Sequence, residues 1–316
     1  MFPDTHMQKL NRIPLSIVAL MAFFSFNAFA VEISFKPVAP NVYAYVGDTE
    51  GRTYENEALN ANIGLVVTPN GAVLIDSGAS FQGAKQIADA VKKVTPQAIK
   101  WVINTGGQDH RWLGNGYFKA NGAEIMAHAN AEADMKARGA EQMQANAPVL
   151  KDKMNGTEVV LPTRWLKDAD TQLELGGVAI TVVHRNGGHT PGDSMVWLPQ
   201  SGVVFTGDVV YVDRILGLHP VSLTKTWLQS FAALEALQPK IVVPGHGNVT
   251  TLAQAQKDTG NLLKALRAHM GKAVEARTDI SAAFKAFDAA PFKHLKHVDT
   301  WLPQLASRTY LEMERE

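Results

Sequence analysis

From residue 31 onward, the chain alternates short apolar runs with polar, glycine-rich turns. Ile33–Val38 and Val42–Val46 read as strands, and a polar insertion over 47–60 follows them. Ile63–Val67 and Ala72–Asp76 flank Thr68-Pro69-Asn70-Gly71, an Asn-Gly hairpin signal. Both of these strands are almost wholly apolar, which predicts cover on both faces. Phe81, Ala84, Ile87, Ala88, Val91 and Val94 recur at helical spacing and end at Thr95-Pro96. Further strand-like runs follow at Lys100–Ile103, Ala123–Ala127, Glu158–Leu161, Thr171–Leu175, Val178–Val183, Met195–Leu198, Val203–Thr206 and Lys240–Val243. Asn130–Asn146 reads as an exposed helix, and Trp227, Leu228, Phe231, Leu234 and Leu237 mark a helix with one core-facing stripe. From Thr251 the pattern is helical to the end, punctuated by Pro291 and Pro303. Two groups of strands, each followed by helices, predict an α/β fold of two mixed sheets between helical layers.

The first thirty residues follow another pattern. Lys9 and Arg12 precede the apolar run Ile13–Phe26, and Ala28-Phe29-Ala30 supplies a small-x-small cleavage site. The expectation is a signal peptide over 1–30, cleaved after Ala30, and a periplasmic or secreted protein with no membrane span after cleavage. Of the 316 residues, 30 are basic and 30 acidic, so the chain has no electrostatic footprint for nucleic acid. There is no cysteine, so disulfides and thiolate chemistry are excluded. A bound metal must rely on His, Asp, Glu or Gln, which selects zinc, iron or manganese.

Four polar turns each follow a short apolar strand: Gln108-Asp109-His110-Arg111, His189, Asp208 and His246. Turns at corresponding strand ends gather on one sheet edge, where α/β proteins place their chemistry. Imidazole and carboxylate are the ligands of a hydrolytic metal that keeps a position open. Gln108, Asp109, His110, His189, Asp208 and His246 are therefore the candidate ligands. Asp109, where it is not a ligand, and Asp208 are the candidate proton acceptors. Arg111 is a candidate fork for a substrate carboxylate. Tyr211, Arg214 and His219 (with Asp213) follow Asp208 closely enough to line a pocket for a small-molecule substrate, and Trp112 can wall it. Asp76 reads as an orienting hydrogen-bond acceptor beneath the site, and Asp193 as the cap of the turn behind His189. His128 and His184 read as structural, and His294 and His297 as a solvated helix face.

These turns resemble, in order, the motifs of the metallo-β-lactamase superfamily. Asn62-Ile63-Gly64 to Asp76-Ser77-Gly78 is similar to that family's N-terminal hairpin and structural aspartate. Gly188-His189-Thr190-Pro191-Gly192-Asp193-Ser194 resembles its histidine-bearing turn, Phe205-Thr206-Gly207-Asp208 its bridging-aspartate turn, and Val243-Pro244-Gly245-His246-Gly247 its last histidine turn. The C-terminal stretch Arg308–Glu314 resembles the exported branch found with sulfur-oxidation and quinoprotein systems. The resemblance implies an αββα sandwich over 31–250, a helical extension over 251–316 on the same domain, and a metal-dependent hydrolase.

The chain departs from the family at its His-x-His-x-Asp-His signature. An ungapped alignment on Thr105 and Asn115 puts Gly106, Gln108, His110 and Arg111 at the signature positions. A frame slid by one puts Asp109-His110 on the Asp-His pair instead, with Thr105 and Gly107 in place of the two histidines. Either way the first metal's histidine pair is missing, so one zinc is expected rather than two. The implied activity is cleavage of an ester, thioester, lactone or amide. The alternatives are a non-enzymatic periplasmic metal-binding accessory protein and a β-lactamase.

Overall fold

The computed structural model describes residues 31–316. The expected signal peptide and its cleavage site lie outside the described residues. Among the described residues, twelve strands form two sheets. The first holds β1 (Lys36–Ala39), β2 (Val42–Tyr45), β3 (Ile63–Thr68), β4 (Gly71–Ile75), β5 (Ile99–Asn104), β6 (Glu124–His128) and β7 (Arg164–Leu166), paired in that order. The second holds β8 (Asp170–Leu175), β9 (Val178–His184), β10 (Ser194–Leu198), β11 (Val203–Phe205) and β12 (Ile241–Val243), again in sequence order from one edge to the other. Both are mixed: β4 to β7 run parallel and β11 pairs parallel with β12, while the remaining pairs are antiparallel.

The inner faces of the sheets meet in one core, where Val73, Ile75, Ile103 and Met126 pack with Val182, Val196, Val203 and Phe205. The outer face of the first sheet is covered by the helix Phe81–Val94 through Ala84, Ile87 and Val91. The outer face of the second is covered by Thr224–Leu237 through Trp227, Phe231 and Leu234. This is the αββα sandwich expected from the periodicities. The C-terminal helices Asn261–Glu275 and Val298–Met313 add Leu262, Leu266, Leu302 and Leu305 to the second outer layer. They are also anchored by charge. Glu312 accepts hydrogen bonds from the Thr224 and Lys225 amides, occupying free donors at a helix start, and Arg267 holds the same carboxylate at 3.1 Å.

Two readings change. Glu158–Leu161 joins no sheet, and the strand beside β6 is Arg164–Leu166 instead. Pro162 has no N–H to give a ladder, and Val160 spends its carbonyl on the Asn115 side-chain amide. The expected exposed helix runs over Glu132–Leu150 and buries Met135, Gln142, Asn146 and Leu150. Its buried polar members have partners on the site side of the fold, so a hydropathy stripe does not reveal them.

Candidate metal centre

The ends of β4, β5, β11 and β12 open on one rim of the sandwich. Backbone and amide contacts between sheets hold that rim together: Ser194 N donates to Thr105 O at 2.8 Å, and the Asn62 amide donates to the Pro244 and Gly247 carbonyls at 2.9 and 2.8 Å. β5 runs into Gly106-Gly107 and then a single helical turn, Asp109–Trp112. The expected loop therefore winds into a helix, which points Asp109, His110 and Arg111 in three different directions.

His110 turns into the rim. Its Nε2 lies 3.3 Å from Asp208 Oδ2, and His246 Nε2 lies 3.3 Å from Asp208 Oδ1. One donor atom from each of the three side chains falls within 4.8 Å of the others, and all three residues are buried. His246 Nδ1 donates to Asn60 O at 2.8 Å, which leaves Nε2 as the lone pair facing Asp208. His189 stands one step back, with Nε2 4.0 Å from Asp208 Oδ2 and Nδ1 donating to Gly217 O at 3.1 Å. Burial pushes the His246 imidazole down to about 3 and holds that of His189 well below its usual range. Both rings are thus neutral near pH 7, the form a metal or a proton requires.

Asp109 takes the opposite direction. Its Oδ1 accepts from Arg52 at 2.5 Å and from the Gln108 amide at 2.9 Å, and its Oδ2 accepts from Asn146 at 2.8 Å. Burial alone would raise this carboxyl, but Arg52, His110 and Asn146 hold it well below the carboxylate range. Its expected places as a ligand and as a proton acceptor are not met, because both oxygens are committed away from the three convergent groups. Of the two neighbours, His110 rather than Asp109 faces Asp208. Gln108 lines the cavity rather than joining the convergent donors, and its buried Oε1 has no protein partner.

Arg111 is a correction as well. It is 1% exposed and reaches no substrate space. Its Nη2 donates to Asp208 Oδ1 at 2.6 Å and to Gly245 O at 3.1 Å, and its Nη1 donates to Asp76 Oδ2 at 2.9 Å and to Asn62 O at 3.1 Å. It is an internal counterion locking two carboxylates beneath the site. Arg111 and the two histidines outweigh burial and keep Asp208 well below the usual carboxylate range. That makes Asp208 a permanent anion and a poor proton acceptor, against its second expected role. Asp76, at a left-handed φ of 68°, also accepts from the Thr105 amide at 2.7 Å, as expected of an orienting residue.

The turn behind His189 also shows why glycines stand in the signature. Asp193 accepts from the Thr190 amide at 2.8 Å and from its hydroxyl, and its Oδ1 lies 2.5 Å from where a Cβ on Gly106 would sit. A Cβ on Gly107 would run into Asp134 Oδ2. Burial, followed by the charge of Asp208, pushes the Asp193 carboxyl up to about 8. The folded protein therefore binds a proton here that the unfolded chain releases near pH 4, so this group favours folding less as pH rises from 4 through 8. In chelated protein, Asp193→Asn is expected to flatten the loss of stability between pH 6.5 and 8.5. Urea unfolding across that range checks it, and an unchanged slope would refute the assignment.

Above the convergent residues lies a cavity of about 260 Å³, lined among others by Arg52, Gln108, Tyr211, Arg214, His219 and Trp301. Tyr211, Arg214 and His219 are thus at the pocket, as the sequence suggested. Tyr211 stacks on His246 with ring centroids 4.6 Å apart, and His219 packs edge-on to His189 at 4.8 Å. Asp213 turns away to hold Asn248, and Trp112 is buried with its indole N–H on Gly107 O. His128 and His184 stack on each other outside this group at 3.7 Å, with His184 on Asp193 O. His294 pairs with Asp258 at 2.8 Å, and His297 contacts Thr49 O and Glu50, so neither is merely solvated. Arg52, Asn146, Trp301 and Gln304 escaped the sequence reading. None sits in a strand-end motif, and only tertiary contact brings them to the site.

Residues 56–246 match the model of the metallo-beta-lactamase superfamily. Among curated proteins, the metallo-beta-lactamase type 2 of Elizabethkingia meningoseptica is 22% identical over 75% of this chain and 89% of its own length. The protein of the same name from Bacillus cereus is 29% identical over 69% of this chain and 77% of its own. Among solved structures, a metallo-beta-lactamase from Pontibacter korlensis superposes with a TM-score of 0.57 at 22% identity, covering 74% of this chain and 99% of its own. The DIM-1 metallo-beta-lactamase exposed to ceftazidime gives 0.59 at 20% identity, over 75% and 98%.

Proposed function

We propose, from the premise that this chain belongs to the metallo-beta-lactamase superfamily, that it is an exported hydrolase working with one zinc ion held by His110, Asp208 and His246. The observation that carries this reading is the convergence of those three buried donors within 4.8 Å beside an open cavity. The donor set fits: two neutral imidazoles and one carboxylate are a zinc ligand set that leaves a coordination position free. Manganese suits a histidine-rich set less well, whereas two histidines and one carboxylate are also a ligand set for non-haem iron(II), so elemental analysis has to identify the metal. A zinc ion in this place supplies Lewis acidity for a carbonyl and acidifies water.

The chain's own residues divide the remaining work. Asp208, fixed by Arg111, contributes an invariant negative charge. Asn60 and Gly217 orient His246 and His189 by accepting from their Nδ1 atoms. His189 Nε2, neutral and 4.0 Å from Asp208, is placed to accept a hydrogen bond from a water or substrate group in the cavity, although its depressed pKa makes it a weak base. Tyr211, Trp301 and Leu216 give the cavity apolar walls that exclude water. The substrate class is an ester, thioester, lactone or amide, and the name borne by the relatives adds β-lactams to those worth testing.

One observation favours a second reading, an accessory protein that binds metal without turnover. Asp208 is already neutralised by Arg111, so the anion does not depend on an ion for its charge balance. Elemental analysis of purified protein, combined with a thioester, lactone and β-lactam panel, separates the two. The hydrolase reading expects about one zinc per chain and turnover that falls by roughly 10²-fold or more in His246→Ala, the scale of losing an electrostatic stabiliser. Bound zinc without turnover would select the accessory reading, and neither metal nor turnover would sink both. Export is tested by N-terminal sequencing of the protein recovered from the periplasm, which should begin at Val31.

A further inference from the structure

The turn that carries His246 is held by a short extended segment, residues 210–213, with both of its edges occupied. On one edge Val210 O accepts from Gly245 N at 2.9 Å and Val212 N donates to His246 O at 3.0 Å, with Tyr211 bridged in parallel to His246. Asp213 extends the grip past the histidine, accepting from the Asn248 backbone amide at 2.9 Å and from its side-chain amide at 2.7 Å. Backbone groups of an extended chain point alternately to its two edges. The N–H and C=O of Tyr211 and the N–H of Asp213 therefore face the other way and need partners of their own.

Those partners come from the C-terminal extension, beyond residues 56–246. Its first helix begins as Leu252–Ala255, widens into a π-turn over Gln256–Gly260 and continues as Asn261–Glu275. The Thr259 hydroxyl accepts from Tyr211 N at 3.0 Å and donates to Tyr211 O at 2.6 Å, and Asp258 Oδ2 accepts from Asp213 N at 3.1 Å. Two neighbouring residues of a helix thus answer alternate residues of the segment, standing where an adjoining strand would. Asp258 is itself fixed, its Oδ1 accepting from His294 at 2.8 Å and from Gln254 at 3.0 Å. Asp258 and Thr259 are both buried. Single π-turns inside α-helices recur at functional sites. Gly260 lets this one press on Phe231, because a Cβ there would sit 2.6 Å from the ring.

We infer that Thr259 and Asp258, in the π-turn of the C-terminal extension, are positioning residues of the metal centre. They fix residues 210–213, and these fix the backbone and the ring of His246, so metal affinity depends on the extension. The inference rests on the reading that His110, Asp208 and His246 hold a metal. Tyr211 carries the coupling twice, through its backbone bridge and through its ring, which stacks on the His246 imidazole at 4.6 Å and 24°. Groups that orient a ligand from outside the coordination sphere change metal affinity by about 10–100-fold when removed. Asn60 is the direct partner of His246 Nδ1, and the π-turn acts one step further out.

The test is zinc titration of the full exported chain after chelation, in competition with a chromophoric chelator, which reads a dissociation constant and not turnover. Thr259→Val keeps the shape and removes the hydroxyl, and it should raise the zinc Kd by about tenfold or more. Thr259→Ser keeps the hydroxyl and should bind zinc like wild type. Asp258→Asn loosens only the Asp213 end, should raise the Kd by a smaller factor, and decides the matter if Thr259→Val does not fold. Tyr310→Phe removes a hydrogen bond to Thr278 O elsewhere in the extension and should leave the Kd unchanged. Unfolding midpoints of the chelated variants show which of them are folded. The inference falls, with the zinc reading intact, if folded Thr259→Val binds zinc like wild type, or if Asp258→Asn does so where Thr259→Val is unfolded. It falls equally if Thr259→Ser loses as much affinity as Thr259→Val, or if Tyr310→Phe does, because the effect is then general loosening. Wild type that binds no zinc would sink the zinc reading and this inference together.

Discussion

Arg111→Met is expected to destabilise the chelated protein by about 3–5 kcal/mol, the range for stripping one partner from a buried ion pair. The side chain is 1% exposed and answers two carboxylates, Asp76 and Asp208, that are themselves buried. Methionine fills much of the volume, so the loss is chiefly electrostatic: two anions would be left in the core with only hydroxyl, amide and histidine partners. The pH dependence should change too. Asp208 has a depressed pKa in the folded state, so its contribution to stability is present above pH 4 and disappears as pH falls through the lower folded value. Without Arg111 that folded value rises, and the loss on acidification begins at higher pH. Zinc should recover part of the deficit, because a cation at His110 and His246 again opposes the Asp208 charge. Urea unfolding of both proteins, with zinc and with chelator, reads all three effects. Equal midpoints in chelator would show that the Arg111 network contributes nothing to folding.

Restoring the histidine pair is the second large effect. Gly106→His with Gln108→His is expected to yield a less stable protein that still binds one metal. The obstacle is local: the first atom of any side chain at 106 sits 2.5 Å from Asp193 Oδ1, inside a turn closed by Thr190. Overpacking of this kind costs about 1–3 kcal/mol, and a buried imidazole beside a second carboxyl adds its own desolvation. Asp193→Ala in the same background should relieve the clash and recover part of the loss. Two tightly held zinc ions per chain in the double variant, measured by elemental analysis, would show that the site is a two-metal centre lacking only its ligands.

Much of this was legible in the residues themselves. The hairpin around Asn70-Gly71, the helix Phe81–Val94 and the parallel strands ending at Asn104, Phe205 and Val243 follow from periodicity and turn chemistry, which act over a few residues. The same local reasoning marked the turns at His110, His189, Asp208 and His246, because a polar side chain immediately after a buried strand has few structural uses. It could not tell Asp109 from His110. One residue step along a helix turns the side-chain direction by about 100°, and only the partners of each, Arg52 and Asn146 against Asp208 and His246, decide which one faces the site. Arg111 looked available for substrate because its charge is visible in the sequence, whereas the two carboxylates that consume it lie 35 and 97 positions away.

The sequence by itself determined the layered fold and marked the turns of the candidate rim, since both depend on residue type and short-range spacing. Tertiary structure alone decided which groups are free at the site. Asp109 is neutralised by Arg52, and Arg111 by Asp76 and Asp208, all distant in the chain. Charge compensation in a core is a three-dimensional property: a buried ion is spent or available according to what packs against it, and the order of residues along the chain does not record that.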